Sequence, residues 1–103
     1  MKSKIYISIP ITGHDRDTQR QHADLVAARL SREGYQVVNP FMIYAGEHPT
    51  WEDHMGCDIR ALLDCDAVYF CDGWASSVGC CIEHDIVKRC IGMGKKQFTI
   101  IYG

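Results

Sequence analysis

The stretch Ala67-Val68-Tyr69-Phe70-Cys71-Asp72-Gly73-Trp74-Ala75-Ser76-Ser77-Val78-Gly79-Cys80-Cys81-Ile82-Glu83 decides the fold. Its first four residues are a short apolar, β-favouring run that reads as a buried strand. From Ile82 onward, apolar residues recur at helical spacing through Ile86, Val87, Cys90 and Ile91, which predicts a helix packed on a sheet. Between strand and helix sit a glycine, two hydroxyls, a second glycine and a carboxylate one turn into the helix. Ser76 or Ser77 can cap the helix by accepting a bond from its free amides. Those amides, with the positive end of the helix dipole, also make a natural seat for an anion. Gly79 leaves room for a ligand on the first turn, and Glu83, four residues on, shares its face. A carboxylate beside a seat for phosphate marks a candidate site.

Working outward from this unit, Lys4-Ile5-Tyr6-Ile7-Ser8-Ile9 alternates and reads as the first strand, stopped by Pro10-Ile11-Thr12-Gly13. Asp17-Thr18 offers an N-cap for a helix to about Arg32, with Ala23, Val26, Ala27 and Leu30 on one face. Gly34 suits the left-handed position that follows. Tyr35 to Val38 reads as a second strand, ended by Asn39-Pro40. Phe41 to Pro49 is irregular, yet Phe41, Met42, Ile43 and Tyr44 are too apolar for a plain solvated loop. They either pack on the domain or a neighbouring subunit, or form a lid over an aromatic ligand. Thr50-Trp51-Glu52-Asp53 resembles a capping box for a helix to about Asp64, with Met55, Ile59, Leu62 and Leu63 as its buried stripe. Asp58 stands beside that stripe. Gly92 and Gly94 break the third helix, and Phe98 to Tyr102 supplies a fourth strand.

Strand and helix alternate throughout. That order predicts an α/β fold: an open, flavodoxin-like (Rossmann-like) parallel sheet of about four strands, with right-handed crossovers and helices on both faces. Ligands of such sheets bind beyond the C-terminal ends of the strands, near the point where strand order reverses. The loops meeting there are Pro10 to Arg16, Asn39 to Thr50 and Cys71 to Ser77.

At 103 residues the chain is expected to form one domain over residues 1–103, large enough for one core. Its 47% apolar and 23% charged content fit an ordinary globule. A net charge of −2 provides no basic footprint, so duplex nucleic acid is not the expected partner. No apolar run approaches the ~20 residues of a membrane span. Met1 to Ile11 is too short in its apolar stretch and too β-like for a signal peptide, so the expected location is the cytoplasm. In that compartment the six cysteines read as small buried thiols rather than structural disulfides, those at 65, 71, 81 and 90 falling in or beside apolar segments. Cys80 and Cys81, adjacent on a helix, must point to different sides. The chain has no Cys-x-x-Cys, and His48, His54 and Cys57 match no standard metal spacing, so neither a metal nor a cofactor is expected.

Four segments together carry a family resemblance. They are Ile5-Tyr6-Ile7-Ser8-x-Pro10-Ile11-Thr12-Gly13, Val38-Asn39-Pro40, Asp58-Ile59-Arg60-x-Leu62-x-x-x-Asp66-Ala67, and Gly73-Trp74-x-Ser76-Ser77-x-Gly79-x-x-x-Glu83. Over nearly its whole length the chain resembles the nucleoside 2-deoxyribosyltransferase-like superfamily, and within it the small branch labelled DUF4406. The resemblance implies cleavage of a nucleoside or nucleotide N-glycosidic bond, by hydrolysis or by transfer. It implies Glu83 as nucleophile at the sugar C1′, Asp58 as the acid that assists the base, and Tyr6 as the residue that orients the nucleophile. Relatives acting on 5′-monophosphates carry a Ser six residues before the Glu, which is Ser77 here. Pro10, Thr12, Gly13, Ser76, Ser77 and Gly79 are the implied substrate or phosphate contacts, Thr12 and Gly13 having a plain turn as their alternative. Trp74 either lines the base pocket or simply packs. Ile9 stands where relatives often have Gly, and Cys80 where Ala is expected.

The expected partner is therefore a small nucleotide or nucleoside, bound by a homodimer or higher homo-oligomer whose sites lie near the interface. The alternative is a binding module that holds the same ligand without turnover, as a sensor or sequestering protein. A thiol-based redox protein is a third and weaker reading.

Overall fold

β1 (Lys4–Ser8) runs through the middle of a four-stranded parallel sheet with order β2-β1-β3-β4, where β2 is Gln36–Val38, β3 Ala67–Phe70 and β4 Thr99–Tyr102. The structure, a computed structural model, describes residues 2–103. Met1, the first residue of the stretch weighed as a leader, lies outside them. The strands alternate with α1 (Arg16–Arg32), α2 (Trp51–Leu63) and α3 (Val78–Gly92). This is the expected α/β architecture, with the first four positions of the flavodoxin-like order.

The alternation of β1 sorts its side chains between two cores. Ile5, Ile7 and Ile9 join Ala67, Tyr69 and Cys71 against Ala23, Val26 and Leu30 of α1. Tyr6 joins Val68 and Phe70 on the other face, against Leu62 of α2 and Val87 of α3. Helices therefore cover both faces, and the near-continuous apolar strands follow from that double burial.

Several boundaries and faces differ from the sequence reading, each for a local reason. Asp15, not Asp17, caps α1: its carboxylate accepts from the Thr18 amide at 2.9 Å and the Thr18 hydroxyl at 2.7 Å. The capping box at α2 forms as expected, with Thr50 and Asp53 bonding reciprocally. On α2 only Leu62 is buried; Met55, Asp58 and Ile59 are half-buried, and Leu63, expected in the stripe, is exposed. The buried line of α3 is Cys80, Glu83 and Val87, while Ile82 and Ile86 stand at its margin. Both helices carry a carboxylate in the middle of the face that packs inward. Cys81, expected among the buried thiols, is exposed, because burying Cys80 turns its neighbour about 100° away.

The strand order reverses between β1 and β3, so the crevice beyond their C-terminal ends is where a ligand would be received. Two loops touch there. Gly73 adopts φ +87°, a conformation only glycine takes freely, and its backbone comes within reach of the Pro10 ring. A 3-10 turn, Trp74–Ser76, then feeds α3. Pro40–Met42, a second such turn, closes the crevice from the β2 side.

Candidate active site

Glu83 lies at the base of this crevice with 4% of its surface exposed. An uncompensated carboxylate at that depth would cost several kcal/mol, so its partners matter. The Tyr6 hydroxyl donates to Oε2 at 2.7 Å, and the Ser8 hydroxyl donates to Oε1 at 2.7 Å. Both come from even positions of β1, one pleat apart on the face towards α3. The strand thus presents two hydroxyls at the spacing of one carboxyl group. Each oxygen has a donor aimed at it, which suits the ionised form.

Burial works the other way. Desolvation is the largest influence on Glu83 and lifts its pKa to about 7, against the lowering effect of Ser8 and Tyr6; nearby Asp58 adds to the rise. Asp58 is lifted to about 6 by desolvation alone. The phenol of Tyr6 is pushed well above its ordinary value by burial, then by the charges of Glu83 and Asp58, so it stays a donor. Two carboxyl groups in one crevice therefore change charge around neutrality, where one can give and the other hold a proton.

A cavity of about 260 Å³ opens over them. Of the residues implicated by the sequence, it is lined by Tyr6, Thr12, Asp58, Ser77, Gly79 and Glu83. Ser77 is the N-cap of α3 and accepts from the Cys80 amide at 3.3 Å; Ser76 belongs to the preceding turn. Pro10, Gly13, Ser76 and Trp74 are not among the lining residues. Pro10 is buried under the first loop, its carbonyl accepting from the Gln19 side chain at 2.6 Å. Gly13 sits at φ +83° in an exposed turn that presents Thr12 inward. Trp74 stacks on His84 with ring centroids 4.2 Å apart, so the packing alternative describes it. The room beside Gly79 is shared: a Cβ there would meet the Met55 sulfur at 3.3 Å.

The 41–44 segment splits between its two readings. Phe41 and Ile43 line the cavity, whereas Met42 and Tyr44 are 80% and 76% exposed. In the sequence Ser8, a polar residue in an alternating strand, reads as ordinary pleating. Its position two residues after Tyr6 was the available signal. Arg16, Trp51 and His54 also line the cavity, brought there by the first turn of α1 and the first turn of α2 rather than by any motif.

Among the described residues, no group of three or more His, Cys, Asp or Glu side chains is placed to hold a metal. The six cysteines are free, and burial raises the thiols of Cys65, Cys71 and Cys80, the first two to about 11 and about 12. Such thiols are poor nucleophiles at neutral pH. No described helix is long and apolar enough to cross a membrane.

A search among curated proteins returns no match for the chain. A family model described as a domain of unknown function (DUF4406) matches residues 3–94, a span that takes in β1, the cavity and all of α3, and the chain belongs to that family.

Proposed function

We propose that this protein cleaves the N-glycosidic bond of a nucleotide or nucleoside through Glu83. The observation that carries the reading is the burial of Glu83 between two hydroxyl donors, under a cavity that Asp58 also lines. Departure of a base leaves positive charge on the sugar C1′, and a desolvated carboxylate beneath it offers the strongest stabilisation in a water-poor pocket. In the proposed step Glu83 supplies an electron pair to C1′ as the C1′–N bond breaks. The bond's electrons go to the base, which takes its proton from Asp58. Water, deprotonated by Asp58, then releases the sugar from Glu83; a second base in place of water gives transfer. Tyr6 and Ser8 hold the carboxylate on the line of attack. Ser77 and the amides at the start of α3 suit a 5′-phosphate.

The productive form has Glu83 ionised and Asp58 protonated. Burial raises both carboxyl groups, and the two titrate as a coupled pair. The second reading is a non-catalytic nucleotide-binding module that uses the same cavity, with Glu83 held by Tyr6 and Ser8 as part of its shape. The separating experiment measures base release from nucleoside 5′-monophosphates and from the matching nucleosides, with Glu83→Ala as control. Release from monophosphates alone, lost in the variant, supports the enzyme and the Ser77 seat together. Release from nucleosides alone keeps the enzyme and removes the phosphate seat. A ligand that raises the melting temperature but is never cleaved establishes the binding module instead.

The exposed Met42 and Tyr44 beside the cavity mouth support a homodimer or higher homo-oligomer with sites near its interface. Light scattering of the wild type and of a Met42→Ser, Tyr44→Ser variant tests this; equal monomeric masses would remove it.

A further inference from the structure

At the mouth of the cavity, Arg16 and Arg20 both lie over the ring of Phe41, their guanidinium carbons 5.2 and 5.5 Å from its centroid. They are one turn apart on α1, so their side chains reach the same side of the helix. Among the described residues neither makes an ion pair with a carboxylate. Of the acids nearby, Asp15 caps the helix through Thr18, Asp24 accepts from the Asn39 amide at 3.3 Å, and Asp17, in the first turn, forms no ion pair with either arginine. Helix stability does not explain Arg16 either, since it occupies the first helical position, where a cation meets the positive end of the dipole. Two like charges converging on one aromatic ring, without a counter-charge, repel each other, whereas an anion between them relieves that repulsion.

Arg16 is also a lining residue of the cavity that holds Ser77. Lying over Phe41 holds the two guanidinium groups at the cavity mouth, and their N–H donors suit the bidentate contact that phosphate oxygens accept. The cavity therefore has two seats for anions, one at Ser77 and the start of α3, the other at the arginine pair. We propose that Arg16 and Arg20 receive a second phosphoryl group, so that the ligand of this cavity is a nucleotide bearing a pyrophosphate rather than a lone phosphate. This rests on the nucleotide reading above and extends it to a substrate class.

Calorimetric titration of the full chain tests the proposal, with inorganic phosphate, inorganic pyrophosphate, and the mono- and diphosphates of adenosine and cytidine as probes. The expected result is a diphosphate that binds at least about tenfold tighter than its monophosphate at low salt, the gain shrinking as salt rises. Arg20→Ala should erase that gain while leaving monophosphate affinity within about twofold, and Glu83→Gln should preserve it. Equal affinities for mono- and diphosphate in the wild type overturn the second seat and leave the nucleotide reading intact. So does a fall in melting temperature in Arg20→Ala with the affinity ratio unchanged, which would make the pair a brace for Phe41 only. Pyrophosphate binding without any nucleotide binding breaks the nucleotide reading but keeps the arginine seat. Binding of none of the probes overturns both.

Discussion

The two faces of β1 are built for different ends. Towards α1 the strand presents Ile5, Ile7 and Ile9, and the core there is aliphatic apart from Tyr69 and Cys71. Towards α2 and α3 it presents Tyr6 and Ser8, and the helices answer with Asp58 and Glu83 in the middle of their inward faces. The inward lines Met55, Asp58, Leu62 and Cys80, Glu83, Val87 have the same spacing, so each helix gives up one core position to a carboxyl group. Burying an acid where an aliphatic side chain would fit costs stability, and hydroxyl donors offset only part of it. One face is core alone; the other sets two carboxyl groups beside its core.

The comparison breaks most plainly at Ile7. Ile7→Ala removes a fully buried side chain from the aliphatic face and should cost roughly 2–5 kcal/mol, lowering the melting temperature by about 10 °C or more. Thermal denaturation checks the loss, while the pH dependence of the folded protein should not move.

On the polar face the sign reverses. Glu83 has a higher pKa folded than its ordinary 4.5, so between about pH 4.5 and 7 the folded state holds more protons than the unfolded one, and stability falls as pH rises. That stability is fully present below about 4.5 and lost above about 7. Glu83→Gln removes the effect. The variant should therefore be more stable than wild type by about 2–3 kcal/mol at pH 8, the gap closing below pH 4.5. Denaturant titrations at the two pH values test this, and a variant less stable at pH 8 would contradict the burial argument. Asp58, with its own window from 3.8 to about 6, is common to both proteins and largely cancels.

Much of this arrangement was legible in the sequence. Alternation gave β1, a continuous apolar run gave β3, Ser76 or Ser77 gave the start of α3 to within a residue, and Thr50 with Asp53 gave the start of α2. What periodicity could not supply was the phase of the helices. Ile82 and Ile86 outweigh Cys80 and Glu83 on any hydrophobic scale, yet the cavity needs Glu83 inside, so tertiary packing overrode the apolar count. Asp15 and Asp17 are equally good caps by type, and only the loop from Pro10 decides between them. Ser8 reaches Glu83, and Arg16 and Trp51 reach the cavity, through contacts between residues far apart in the chain that no local pattern encodes.

Two smaller substitutions sharpen the contrast. Tyr6→Phe keeps the ring and removes one donor from Glu83, costing about 1 kcal/mol and raising the pKa of the carboxyl further. The carbon resonance of the Glu83 carboxyl, followed by NMR against pH, should shift its midpoint upward; a fall would show that Tyr6 does not support the charged form. Gly79→Ala gains helix propensity but presses on the flexible Met55, and the net change should stay within about 1 kcal/mol by thermal melting.

A bond from Glu83 to a sugar carbon, as proposed, is detectable by covalent trapping. The protein is incubated with 2-deoxy-2-fluoroarabinosyl nucleosides and their 5′-phosphates, whose fluorine slows release of the sugar, and is then digested for mass spectrometry. The account predicts release of one equivalent of base and a sugar adduct on the peptide carrying Glu83, both missing in Glu83→Gln. Base release that persists in Glu83→Gln, or an adduct mapping to another residue, would contradict it.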